Sequence, residues 1–392
     1  MGPRVLARGR AALTRGRAVY ACAVLAAGVA GCSSTGSSSS AVTVSGKTLT
    51  IYLSDAPTDQ PQVAKDVLDA EQLAFSQSSH TVGGYTLQTD VLQGKKISDQ
   101  ARTAIQDQSA IAYLGEIVPG SSSASIGITN ALDLLQVSPT DTAVELTQAS
   151  PAVIGAPNVY YESLSSYGRT FARLVPTSAL EAKAQVQEMQ ALGVSKLYVA
   201  DDGSAYGAAI AYAIRHDVGG SLSLVSSEGA ADGIFYGSNS EASASRFFGA
   251  AAAANSSAKL FGPSALADPS FSGGLSSAVR NLYVSSPGFL KRDLTSEGAT
   301  FVSSFTSTYG RAPVPQAIFG YEAMSALLAT LREAGSSVND RSTVVHDFLF
   351  LKRPQSVLGA YSMNGNGDTS IAPFVFSRLE HGSLVPFAQV QG

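Results

Sequence analysis

The chain has 392 residues, 45% hydrophobic and only 14% charged, with a formal net charge of -4 and no tryptophan. Such a composition builds a core and excludes a disordered polypeptide, and no basic run is present to coat a nucleic acid. Two cysteines, Cys22 and Cys32, leave little room for a disulfide framework.

The N-terminus carries Arg4, Arg8, Arg10, Arg15 and Arg17 and no acid, followed by the apolar stretch from Ala18 to Ala30. Charge followed by a short apolar run is the order of a secretory signal, and the run is too short to span a bilayer comfortably. It ends in Val29-Ala30-Gly31-Cys32, which resembles the lipobox of bacterial lipoproteins: small residues admit a peptidase and the thiol accepts diacylglycerol. The resemblance implies that residues 1–31 are a signal peptide, that Cys32 is lipidated, and that the protein is held at the extracytoplasmic face of the cell membrane. Cys22 falls within the discarded stretch, so the mature chain has no internal disulfide. Loss of five arginines lowers the formal charge from -4 to -9. The serine-rich run that follows predicts a flexible tether over residues 32–47.

From Leu49 onward, strand-type and helix-type segments alternate, the pattern of a parallel sheet covered by helices. Strands are expected at 49–53, 85–92, 110–114 and 134–137, with helices at 61–76, 97–108 and 121–133. The pattern restarts after Pro176, with helices at 181–192, 205–216 and 241–254 and strands at 196–200, 222–226, 233–236 and 259–261. Amphipathic helices at 294–309 and 317–331 and β-like runs in the last fifty residues return to complete lobes already begun. About 350 residues exceed one typical core, and two alternating units imply two α/β lobes.

Several segments in this order resemble the type 1 periplasmic binding proteins that capture branched-chain amino acids and related solutes for ABC importers. They are Gly115-Glu116 with Ser121-Ser122-Ser123, then Val137-Ser138-Pro139-Thr140-Asp141-Thr142, Phe171-Ala172-Arg173-Leu174-Val175-Pro176 and Asp202-Gly203-Ser204-Ala205-Tyr206-Gly207. Gly233 to Gly237, Phe261-Gly262-Pro263-Ser264, Val284-Ser285-Ser286-Pro287, Phe319 to Ala323 and Gly359 to Asp368 complete the series. The resemblance implies two Rossmann-like lobes joined by a three-segment hinge: residues 48–174 plus 287–357 as the first lobe, 175–286 plus 358–392 as the second. The loop at 359–368 is expected after the third crossover. The family's amino-acid binders carry a glutamate after the Gly-Pro of the second lobe, where this chain has Ser264, which weakens the case for an amino-acid ligand.

In such a fold a ligand sits at the carboxyl ends of parallel strands, where unpaired backbone N–H groups favour anionic or polar atoms. Ser121, Ser122, Thr140 and Thr142 fit that position as ligand-binding hydroxyls, or equally as helix caps. Asp141, Asp202 and Ser264 are candidates to receive a ligand donor, with a solvated turn or cap the commoner role of an aspartate; Tyr206 and Tyr236 are candidates to stack or hydrogen-bond from the second lobe.

No nucleophile elbow, Walker loop or His-Glu-x-x-His helix is present, and His80, His216, His346 and His381 lie on separate segments. Ser256-Ser257-Ala258-Lys259 has the spacing of a Ser-x-x-Lys nucleophile but follows an alanine-rich helix and reads as a turn. No enzyme activity, cofactor, metal site or nucleic-acid partner is expected. The leading reading is a lipid-anchored solute receptor with an ABC permease and ATPase as partners. The other is a ligand sensor or envelope interaction module of the same fold.

Overall fold

The computed structural model describes residues 41–392; the signal, Cys32 and the first part of the tether lie outside the described residues. The tether expected to reach Lys47 is already held at Val42. Arg341 N–H donates to the Val42 carbonyl, Val44 N–H donates to the Asn339 carbonyl, and the Val44 side chain is buried. These two valines give the segment enough apolar surface to dock.

The first sheet takes β1 (Thr48–Asp55), β2 (Thr81–Val82), β3 (Tyr85–Gln93), β4 (Ala110–Leu114), β5 (Leu135–Ser138) and β6 (Phe171–Arg173), in the order β2-β3-β1-β4-β5-β6. All neighbours are parallel except β2 with β3. β4 is buried at all five positions, as expected of a central strand covered on both faces. On the first lobe lie α1 (Pro61–Ser76), α2 (Ile97–Gln106), α3 (Ile126–Asn130) and α4 (Leu164–Tyr167). The helix expected over 121–133 is split into a 3-10 turn at Ser121–Ala124 and the short α3. The physical reason lies in its hydroxyls: Ser123, Ser125 and Thr129 donate back to carbonyls three or four residues earlier and compete with the helical ladder.

The second sheet takes β7 (Lys196–Asp201), β8 (Ser223–Leu224), β9 (Gly233–Gly237), β10 (Lys259–Gly262) and β11 (Leu282–Pro287), with α5 (Ser178–Ala191) before β7, α6 (Ala205–Asp217) after it and α7 (Glu241–Ala254) between β9 and β10. Thr177 caps α5 by accepting from Leu180 N–H, so the helix starts three residues before the expected Glu181. After β11 the chain returns to the first lobe as α8 (Ser296–Tyr309), α9 (Ala317–Ala334) and α10 (Arg341–Leu349). The small hairpin β12 (Lys352–Arg353) and β13 (Tyr361–Ser362) follows. It then crosses back to add β14 (Pro373–Glu380) and β15 (Ser383–Gln391), antiparallel, giving the order β15-β14-β11-β10-β9-β7-β8.

α9 lies against α1, and Gly320 permits the approach: a methyl there would sit 2.5 Å from the Val67 carbonyl oxygen. Leu358, Tyr361, Met363 and Ile371 pack into the same core as α1, α8, α9 and α10. The segment 358–371, placed by the sequence with the second lobe, therefore packs with the first, and the third crossing follows it at Ala372–Pro373 instead of preceding it. A further apolar core joins the lobes, since Ile126, Ala143, Leu146 and Phe171 cluster with α5, α6 and β7. Among the described residues, no helix is long and apolar enough to cross a membrane.

Candidate functional site

The carboxyl ends of β1 and β4 are neighbours in a parallel sheet, so the loops that leave them share one edge. Between these loops and the second lobe lies a cavity of about 430 Å³. Ser54, Thr58, Asp59, Glu116 and Ser121 line it from the first lobe and Asn239, which follows β9, from the second; its lining carries no Lys, Arg or His. Asn239 Nδ2 also donates to the Pro119 carbonyl, 3.2 Å away, and so ties the two sides of the cavity together.

Glu116 is almost fully buried at the base of this cavity. Its carboxyl oxygens accept from Ser54 Oγ at 2.5 Å and Tyr113 OH at 2.7 Å, and its own carbonyl accepts from Ser138 Oγ. Burial pushes the Glu116 carboxyl up to about 7 against those two hydroxyls, and Asp141 adds to the rise. Glu71 on α1 is raised well above the usual carboxylate range, by burial first and then by Glu116. Burial followed by repulsion from Asp268 and Asp59 raises Glu241 to about 8.

The expected ligand residues divide into groups. Ser121 lines the cavity. Ser122 and Thr140 stand behind the wall: Ser122 Oγ accepts from Glu116 N–H, and Thr140 Oγ1 donates to the Ile117 carbonyl. Asp141 is fully buried and accepts from three backbone amides, Gly120 at 2.6 Å, Ser122 at 2.9 Å and Ala143 at 3.1 Å. Burial raises the Asp141 carboxyl, while these amides and the nearby Arg173 act to lower it.

Thr142, Tyr206 and Ser264 are brought together, but to one another. Thr142 Oγ1 lies 3.2 Å from Ser264 Oγ across the lobes, and Tyr206 OH lies 3.3 Å from the same atom. Beneath them Glu181 of α5 accepts from Ser264 N–H at 2.6 Å, Ser264 Oγ at 2.8 Å and Ser285 Oγ at 2.6 Å. A glutamate thus reaches the Ser264 position from a different element. Burial lifts its carboxyl to about 7 despite these donors.

Asp202 and Tyr236 are not part of the cavity lining. Asp202 accepts from Ser204 N–H and Ser238 Oγ at the start of α6. Tyr236 stacks on Phe247 with ring centroids 4.0 Å apart and shares a hydrogen bond with Ser243. Its place on β9 sends it to the α7 side with Ile234, while Phe235 faces α5 and α6.

Two further contacts join the lobes. Gln60 Nε2 donates to the Ala265 carbonyl at 2.6 Å, and Asp268 Oδ2 accepts from Gln62 and Val63 N–H, each at 2.9 Å. α1 has no side-chain cap of its own, so a carboxylate of the second lobe caps it. Sequence reasoning missed Glu116, Glu181 and Asp268 as site residues. Glu116 stood inside a quoted segment, and an acid set between apolar strand residues and a serine run was the available signal. Nothing local in the sequence pairs Asp268 with α1.

Comparison with known proteins places this geometry. A family model described as periplasmic binding protein matches residues 216–382. No curated protein matches the chain by sequence. Among solved structures, the chain superposes on a leucine-binding protein from Thermotoga maritima with a TM-score of 0.71 at 18% identity, over 88% of this chain and 99% of that one. The chain has the type 1 periplasmic binding protein fold. A branched-chain amino acid binding protein from Streptococcus pneumoniae in complex with isoleucine gives a TM-score of 0.69 at 14% identity, covering 88% and 99% of the two chains. A solute-binding protein from R. palustris in complex with benzoate gives 0.66 at 17%, covering 88% and 97%.

The raised carboxyls give this periplasmic-binding fold a defined pH dependence. Glu116 and Glu181 have folded pKa values near 7, above the ordinary value of 4.5. The stability they contribute is complete below about pH 4.5 and is lost as pH rises through about 7. The melting temperature is expected to be higher at about pH 5.5 than at about pH 8, measured by calorimetry in one ionic strength. A higher value at the alkaline end would contradict this.

Proposed function

We propose that the protein is the lipid-anchored capture subunit of an ABC importer, working at the extracytoplasmic face of the cell membrane. A small polar solute enters between the lobes, closure buries it, and a permease with its ATPase recognises the closed form. The observation that carries this reading is the cavity of about 430 Å³ at the strand ends, walled by Ser54, Asp59, Glu116 and Ser121 and closed from the other lobe by Asn239. Its size suits a small solute. The leucine, isoleucine and benzoate of the structural relatives agree with solute capture as a class of activity.

In this reading the first lobe is residues 48–174 with 288–371, and the second is 175–287 with 372–392. Residues 32–41 tether the first lobe to Cys32.

A second reading, a sensor or envelope interaction module, is favoured by one observation: Thr142, Ser264 and Tyr206 bond to one another across the cleft instead of facing an open space. Two measurements separate the readings and test the anchor. Mass spectrometry of the purified full chain is expected to release a small solute, whereas an empty preparation that no solute refills supports the sensor. Cys32→Ser is expected to move the protein from the membrane fraction to the soluble fraction, and an unchanged distribution would remove the lipid anchor from the account.

A further inference from the structure

Ser121 lines the cavity, and the backbone amides on either side of it, Gly120 and Ser122, point away from solvent to the carboxylate of Asp141. Ala143 N–H donates to the same group, so a carboxylate belonging to the chain occupies a three-donor cradle directly behind the cavity wall. These are the donors that an acidic solute would need at this strand edge. The cavity lining offers no cation in their place, and its ionisable members are Asp59 and Glu116.

Resting on the solute-capture reading, we propose that Asp141 is a specificity-determining residue that excludes carboxylate solutes, and that the cavity takes a cationic amine or a neutral solute rich in hydrogen-bond donors. Asp141 does this in two ways. It saturates the amides that would hold an acid, and it adds negative charge beside a cavity that already holds two carboxyl groups. A carboxylate entering the wild-type cavity meets Asp59 and finds neither a cation nor the Gly120 and Ser122 amides, only the hydroxyls of Ser54, Thr58 and Ser121 and the amide of Asn239. An amine or a polyol finds acceptors in Glu116, Asp59 and Ser121.

The test uses the purified full chain and three defined probes: acetate and L-leucine as carboxylates and putrescine as a diamine, each titrated by calorimetry. Wild type is expected to show no heat with acetate or L-leucine. Asp141→Ala frees three donors and is expected to bind acetate at least tenfold more tightly than wild type. Asp141→Asn keeps an oxygen acceptor for the amides and serves as the folding reference; it is expected to gain little. If Asp141→Ala fails to fold, wild type with L-leucine still decides, since tight binding of that amino acid to wild type overturns the inference while leaving solute capture intact. A folded Asp141→Ala that gains no acetate binding overturns it as well. Failure of wild type with putrescine and with every amine and polyol added to the panel, while Asp141→Ala gains acetate, leaves the exclusion standing and counts against the capture reading instead.

Discussion

Arg173→Met is expected to lower the melting temperature by roughly 5–10 °C, because it strands a buried charge. Arg173 is fully buried at the end of β6, where the chain first leaves the first lobe. Its Nε donates to Asp368 Oδ1 at 3.1 Å, one terminal nitrogen donates to the Asp141 and Ala143 carbonyls, and the other to Thr147 Oγ1. Asp368 also accepts from Thr147 Oγ1 and Gln148 Nε2. One guanidinium therefore ties β6, the loop at 141–147 and the loop at 364–368 together. Gly367, at φ 92°, lets that loop approach, since a side chain there would collide with the Phe171 carbonyl.

Removing the cation leaves Asp368 and three carbonyl or hydroxyl acceptors without their donor, at a cost of about 3–5 kcal/mol. The double variant Arg173→Met with Asp368→Leu is expected to regain part of that loss, because no charge is then left buried. Equal melting of wild type and Arg173→Met would show that the pair holds nothing.

Asp268→Ala is expected to open the lobes. Gln62 and Val63 N–H lose their acceptor inside a closed interface, which costs about 1–3 kcal/mol, and water satisfies them only if the interface parts. Gln60 with Ala265, Thr142 with Ser264, Asn239 with Pro119 and the apolar cluster of Ile126, Ala143, Leu146 and Phe171 with α5 and α6 remain, so the shift is expected to be partial. Small-angle scattering of the variant is expected to give a larger radius of gyration than wild type, with a melting temperature that falls only modestly because each lobe keeps its core. Asp268→Asn, whose amide oxygen still accepts, should lie between the two. Identical scattering from all three proteins would mean that the carboxylate is not a latch.

The alternating pattern from Leu49 to Phe261 was legible as two α/β lobes because both central sheets are built of short runs with helical segments between them. Strand ends were legible too, and with them the loops that carry Ser121, Asp141 and Ser264. What those residues do was not. Serine, threonine and aspartate at a strand end serve equally as caps and as ligand groups, and only the partners separate the two roles. Asp141 turned inward to the amides of Gly120 and Ser122, about twenty positions earlier, and Ser264 met a glutamate more than eighty positions earlier. The placement of 358–371 was obscured for a related reason: Leu358, Tyr361, Met363 and Ile371 join the first core without any helical or strand period to announce them.

The central claim is that a small solute is held between the lobes beside Glu116. Melting of the purified chain against amines, polyols, nucleosides, amides and carboxylates tests it most directly. The account predicts that one non-carboxylate class raises the melting temperature, with about 2.7 kcal/mol of stabilisation at one hundred times the dissociation constant, and that Glu116→Ala abolishes the rise. A panel in which no class raises the melting temperature, or in which Glu116→Ala responds as wild type does, would contradict it.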